Sequence, residues 1–286
     1  MKFNIVLVAV FLLGFGITGW ISHELLQRNA RDEVVRNAEL MMETALAIRG
    51  YTVNQVAPHL QLQLLRVFLP QSVPAYAATE TINELRKKYP DYAYKEATLN
   101  PTNPRDRTTD WEADLVHSFR NNTDKKEVIG ERDTPTGRSL YIARPFQIKN
   151  ESCLACHSVP GAAPASMIKL YGDANGFGWK MNEIIGAQVV SVPMSLPIKN
   201  ADRAFTTFMT SLFVVFAIVF IVLNLMLSWM IVRPIHKMSK AADQVSTGNF
   251  EIEEFSELGK DEIATLGASF NRMRRSLQKA MQMIEG

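Results

Sequence analysis

Two stretches of the chain carry no charged residue, residues 3–22 and residues 204–232. The second holds 29 residues, about 44 Å as a helix, which exceeds the ~30 Å hydrocarbon core of a bilayer. Both are long enough to span a membrane. Between them, residues 24 to about 58 read as one long helix. Val35, Ala38, Met42, Ala45 and Ile48 recur at spacings of three and four, with charged residues between. That stripe has few large side chains and suits packing on its own domain as well as a dimer seam. Pro70, Pro74, Pro90, Pro101 and Pro104 then mark a loop-rich region, with short helices predicted over 79–88 and 109–120. From Glu127 the period changes to that of strands. Two β-rich runs flank the turn Asp133-Thr-Pro-Thr-Gly-Arg138, a hairpin signal, and a third run covers 186–193. The fold class is therefore α+β, with helices first and an antiparallel sheet after them.

Past the second apolar stretch the helical period returns. Ile235, Met238, Ala242 and Val245 step by three, four and three, and the segment from Gly248 to Phe255 breaks the pattern. Ile263, Leu266, Phe270, Met273, Leu277, Ala280 and Ile284 resume it as a sustained heptad. The expected divisions are a membrane anchor at 1–23, an exported domain at 24–203, a second span at 204–232 and a helical tail at 233–286.

The first span could be a cleaved leader, but its only leading charge is Lys2 and no small-residue cleavage pattern closes it. Trp20 suits an interfacial ring, so an uncleaved signal anchor is the reading adopted. Arg233, His236, Lys237 and Lys240 follow the second span closely. A basic cluster beside a span marks the cytoplasmic side, which places the amino terminus inside, 24–203 outside and the tail inside. The overall charge is nearly balanced, 31 Lys and Arg against 29 Asp and Glu, so no basic surface points to nucleic acid. Two cysteines exclude a disulfide-rich scaffold.

Both cysteines fall in Cys153-Leu-Ala-Cys156-His157. This spacing is that of covalent c-type haem attachment. Residues i and i+3 of a helical turn share a face, so both sulfurs reach the vinyl groups of one porphyrin, and the next residue supplies the proximal imidazole. A redox dithiol has no need of the histidine. A zinc site lacks its fourth ligand, and a Cys153–Cys156 disulfide would explain nothing else. One covalent haem c is thus expected, held by Cys153 and Cys156 and ligated by His157. The candidates for the sixth iron position are His59, His117, Met167, Met181 and Met194, or the position is left open. His59 is preferred, because it ends the helix that continues from the first span and would couple the iron to the membrane.

Several motifs carry a resemblance: Asn100-Pro-Thr-Asn-Pro104, the cysteine motif with Pro160 and Ala163-Pro164, Tyr171-Gly-Asp-Ala-Asn-Gly-Phe-Gly-Trp179, and 186–194. With these, residues 24 to 204 resemble the single-haem c-type sensor domains of bacterial membrane receptors. The resemblance implies a PAS-like sheet holding one haem, on the periplasmic side of the inner membrane. The tail resembles a HAMP signal-relay module, through Pro234, Gly248 and the Asp261-Glu262 pair opening its second helix. HAMP modules are built from two chains, so the resemblance implies a homodimer. The expected function is haem-based sensing of redox state or a diatomic gas, without catalysis. The chain is expected to end with the module, so the output would belong to a separate cytoplasmic partner such as a histidine kinase or a chemoreceptor-type protein. The alternative is a membrane-anchored monohaem electron carrier.

Overall fold

A computed structural model describes residues 2–255 and 261–285, with side chains through residue 283. The last heptad position, Ile284, therefore lies outside the described side chains. The chain divides into two compact units, one made of Met1–Trp20 with Thr207–Gly286 and the other of Ile21–Thr206.

Within the Ile21–Thr206 unit the elements follow in a simple order. Helix α1, Lys2–Tyr51, enters it and is continued by a π-helical stretch, Thr52–Val56, and a 3₁₀ turn, Ala57–Leu60. Pro58 explains the change of winding, since it has no N–H to give the carbonyl four residues back. Helices α2 (Gln61–Leu64) and α3 (Pro74–Arg86) come next. Strand β1 (Ala93–Thr98) and helix α4 (Asp110–Asn121) precede the hairpin of β2 (Val128–Thr134) and β3 (Gly137–Gln147). Short helices α5 (Leu154–His157) and α6 (Ala165–Tyr171) lead to β4, Ile184–Pro193.

The sheet is antiparallel throughout, in the order β1-β4-β3-β2. Its hairpin is the predicted one, closed by Pro135 and Thr136, with Thr134 paired to Gly137. The first strand was not predicted, and it pairs along its whole length with β4. Gly186 permits that pairing, because a Cβ there would overlap the Ala97 carbonyl.

Period-two alternation gives the sheet two buried faces. Leu140, Ile142, Val190 and Val192 meet Val34, Ala38, Met41, Met42 and Ala45 of α1. Ala97, Ala143, Ala187 and Val189 on the other face meet Leu115, Val116 and Phe119 of α4. The small-residue stripe of α1 is thus buried on its own sheet, and the seam alternative is not needed to cover it.

In the other unit, α7 (Ser195–Leu227) contributes its residues from Thr207 onward and is continued by a π-helical stretch, Ser228–Val232. This stretch immediately precedes Pro234 in α8, Arg233–Ser246. Phe11 of α1 stacks on Phe216 at 4.9 Å. Met209 fills the space beside Gly19, its Cε 3.1 Å from where a Cβ would stand. Large side chains such as Ile5, Leu12, Phe213 and Ile221 are exposed, as expected of helices long and apolar enough to cross a membrane.

The tail closes with α9, Glu262–Glu285. The chain leaves α8 through Gly248, whose φ of +89° requires glycine. The connector is then clamped onto α9. Buried Asn271 accepts from the Phe255 N–H at 3.1 Å and donates to its carbonyl at 2.8 Å. Arg274 donates to the Ile252 carbonyl and pairs with Glu254 at 2.7 Å.

Candidate functional site

Strand β3 delivers the chain directly to the cysteine turn. The Asn150 side chain caps it by accepting from the Ser152 N–H at 2.9 Å. A 3₁₀ turn, Glu151–Cys153, runs into α5, so Cys153 and Cys156 lie on one helical face. Both are half-buried free cysteines. Burial, with Cys153 close by, raises the Cys156 thiol above its ordinary pKa.

His157 is held from three sides. Its Nδ1 lies 2.7 Å from the Gly176 carbonyl and 3.3 Å from the Thr102 hydroxyl. Its ring stacks on Trp179, with centroids 4.0 Å apart and planes 15° apart. A carbonyl only accepts, so Nδ1 carries the proton and Nε2 keeps the free lone pair. Burial lowers the imidazole pKa, partly offset by the Gly176 bond. The ring is therefore neutral, oriented and ready to ligate a metal through Nε2.

Two loops distant in sequence build this cradle. Asn100 Nδ2 donates to the Phe177 carbonyl at 3.5 Å, and Arg107 donates to Asn175 Oδ1 at 3.2 Å. The Gly178 N–H reaches the Ser158 carbonyl at 2.9 Å, and the Trp179 N–H reaches that of His157 at 3.2 Å. Gly176 has φ +82°, and a Cβ on it would stand 2.8 Å from the Thr102 Cα. The motifs around Asn100-Pro104 and Tyr171-Trp179 thus meet at His157. Sequence reading noted them as motifs and had no physical role for them.

A second group lies on the face of the sheet toward α1. Arg49, in the last turn of α1, donates to both oxygens of Glu96. Tyr94 donates to the same carboxylate at 2.7 Å, and Gln188 donates to the Tyr94 oxygen at 3.4 Å. Burial and the Glu96 charge push the Tyr94 phenol far above its ordinary range. No sequence signal marked these residues, because their partners come from three separate elements.

The proposed sixth ligands are scattered. His59 is exposed in the 3₁₀ turn after α1, and no hydrogen bond or ring contact joins it to the cysteine turn among the described residues. The segment beyond it is drawn toward α6, where the Phe68 N–H donates to Ser166 at 2.7 Å and Phe68 meets Tyr171 edge-on at 6.2 Å. His117 is exposed on α4, whose buried face packs on the side of the sheet away from α1. Met167 is buried in α6, Met181 is exposed, and Met194 belongs to the core under α1.

The donor set suits a c-type haem. Two thiols share a face, and the adjacent imidazole has its outer nitrogen committed and its inner one available. It does not suit a protein-ligated ion such as zinc. Among the described residues, no group of three or more His, Cys, Asp and Glu could hold one.

Comparison with known proteins agrees with this division. A HAMP-domain model matches residues 226–279. The sensor histidine kinase WalK of Bacillus subtilis is 28% identical over 161 residues, 56% of this chain and 24% of its own. The heme sensor protein HssS of Staphylococcus aureus is 33% identical over 94 residues, 33% of this chain and 20% of its own. The sensor histidine kinase CpxA of Escherichia coli is 39% identical over 59 residues, 21% of this chain and 13% of its own. The chain thus spans a quarter or less of each of these relatives. The crystal structure of the cyanobacterial heme-protein Tll0287 aligns at 17% identity and a TM-score of 0.45, covering 56% of this chain and 95% of that one. The Tll0287-like family model matches residues 27–193, more than half of the chain, and the protein belongs to that family.

Proposed function

We propose that this protein is a membrane-bound haem c sensor that relays the state of its iron through the HAMP domain to a separate signalling protein. Cys153 and Cys156 form the thioether bonds, His157 is the proximal ligand through Nε2, and His59 is the sixth ligand. Residues 24–203 face the periplasm and the tail from 233 faces the cytoplasm, with two chains associating at the HAMP domain. The haem supplies a one-electron couple and an iron able to bind diatomic gases. The chain's own residues would hold it by two bonds, fix the imidazole tautomer and cover one face of the His157 ring with Trp179. The observation that carries this reading is the Gly176–His157–Trp179 cradle directly after the cysteine turn. The match to the Tll0287-like family supports it, as does the likeness to HssS, described as a heme sensor. The HAMP match and the kinase relatives support relay rather than electron carriage.

Relay and carriage separate in one experiment. Full-length protein, matured with a haem c assembly system and reconstituted in bilayers, receives a single reactive thiol by Met273→Cys on the exposed side of α9. Both native cysteines are consumed as thioethers, so a bifunctional maleimide reports only that position. Crosslinking between chains should differ at least twofold between electrochemically poised ferric and ferrous protein. Equal rates would refute relay and leave the electron carrier.

A further inference from the structure

The face of the sheet toward α1 is apolar along most of its length and charged at one end. There Glu96 is only 2% exposed, and its carboxylate is met by Arg49 and by the Tyr94 phenol. The Arg49 guanidinium also lies over the Phe146 ring, 5.0 Å from its centroid, where β3 ends and the chain turns toward the cysteines. It stands within electrostatic reach of Cys153. Burial is the largest single influence and opposes its charge, but Glu96 together with its other neighbours, Tyr94 among them, holds its pKa above the ordinary value, so it is a fixed cation. A desolvated ion pair is a poor source of stability, since the cost of removing both charges from water largely cancels their attraction. It is nonetheless a strong source of local field, because little water screens it.

We propose that Arg49 and Glu96 are positioning residues for the haem, setting its reduction potential and carrying the oxidation state of the iron into the C-terminal turn of α1. This rests on the covalent haem reading above. On reduction the iron takes one electron from an external one-electron donor, the site loses one positive charge, and no bond or proton changes hands. The ferric site repels Arg49 and attracts Glu96. The ferrous site leaves the pair undisturbed, so the grip of Arg49 on the sheet tightens. Arg49 belongs to the same helix as the first apolar stretch, which gives the iron a mechanical path that does not need ligand exchange at His59.

The test uses the full-length holoprotein in bilayers and reads potential and amide exchange together. Glu96→Gln removes an anion and should disfavour the ferric state, raising the one-electron equilibrium constant for reduction about tenfold, or about 59 mV. Arg49→Gln should lower it by a similar factor, and the double variant should return to within about threefold of the wild type. Amides of the last turn of α1 should exchange faster in ferric than in ferrous wild type, and equally in the double variant. Should Arg49→Gln fail to fold, Arg49→Lys keeps the charge and loses the planar guanidinium that lies over Phe146, so the potential should hold while the state-dependent exchange falls. Glu84→Gln, in an exposed pair with Lys87, should change neither readout. Covalently haem-loaded single variants with wild-type potentials would overturn the proposal, and so would exchange indifferent to iron state in the wild type. Absence of covalent haem from every variant and the wild type would instead defeat the haem reading itself.

Discussion

Gly176 is the backbone position on which the cradle of His157 depends, and a graded set of alanine substitutions isolates why. Gly161 has no neighbour within 4 Å of its Cβ position and no positive φ, so Gly161→Ala should cost nothing and can stabilise by about 0.4–1 kcal/mol through the unfolded chain. Gly172 has φ +81° and ψ 178° with open space around it, so Gly172→Ala carries only the strain of a backbone region reserved for glycine, about 1–3 kcal/mol. Gly176 adds overlap with the Thr102 backbone, 2.8 Å from its Cα. A main-chain atom cannot swing aside as a side-chain tip can, and forced repacking costs about 1–3 kcal/mol more. Gly176→Ala should therefore lose about 2–6 kcal/mol, a large share of the 5–15 kcal/mol typical of a domain. In thermal unfolding of holoprotein followed by circular dichroism, that is a fall in Tm of roughly 5–15 °C, against a few degrees for Gly172→Ala. The substitution also displaces the carbonyl that orients His157, so the visible spectrum of the haem should change in Gly176→Ala alone. If Gly176→Ala were as mild as Gly172→Ala and left the spectrum unchanged, the close approach of the two loops would be refuted.

Other consequences follow from burial and charge. Phe119 is fully buried against β4, so Phe119→Ala should cost about 3–5 kcal/mol in denaturant unfolding, while the neighbouring exposed His117→Ala should cost little. Burial pushes the Asp106 carboxyl up to about 6, with Arg105 acting against it. The folded form thus prefers the protonated acid, so its contribution to stability is complete below pH about 4 and is lost as pH rises to about 6. Asp106→Asn should flatten that part of the stability–pH curve, and an unchanged curve would contradict the burial argument. Protease added to intact spheroplasts should digest 24–203 and spare the tail from 233, and a protected domain would reverse the orientation.

How much of this was legible in the sequence depended on whether a residue's signal was local. The apolar stretches, the hairpin, α4 and the heptad of α9 are written in spacing along a single element, so periodicity found them. Helix α4 even carries its own start signal, the Thr109 N–H donating to Glu112 at 2.7 Å. Strand β1 was invisible because Lys95 and Glu96 look solvated. Glu96 is buried only because Arg49 reaches it from 47 residues upstream, and Lys95 bridges to Glu112 of α4 at 2.7 Å. The cysteine turn was plain, whereas the tautomer of His157 was not. It depends on the Gly176 carbonyl, and no pattern local to residue 157 announces a contact 19 positions away. The preference for His59 came from its expected place at the end of the first helix, whereas the structure places it in the 3₁₀ turn beyond α1 and does not join it to the cysteine turn.

Covalent attachment is the claim on which the rest stands, and one gel reads it. Wild-type protein matured with a haem c assembly system should keep its haem stain after boiling in detergent. Cys153→Ala with Cys156→Ala should lose the stain entirely, and each single variant should lose most of it. Stain in the double variant, or a colourless wild-type band at normal yield, would contradict the account.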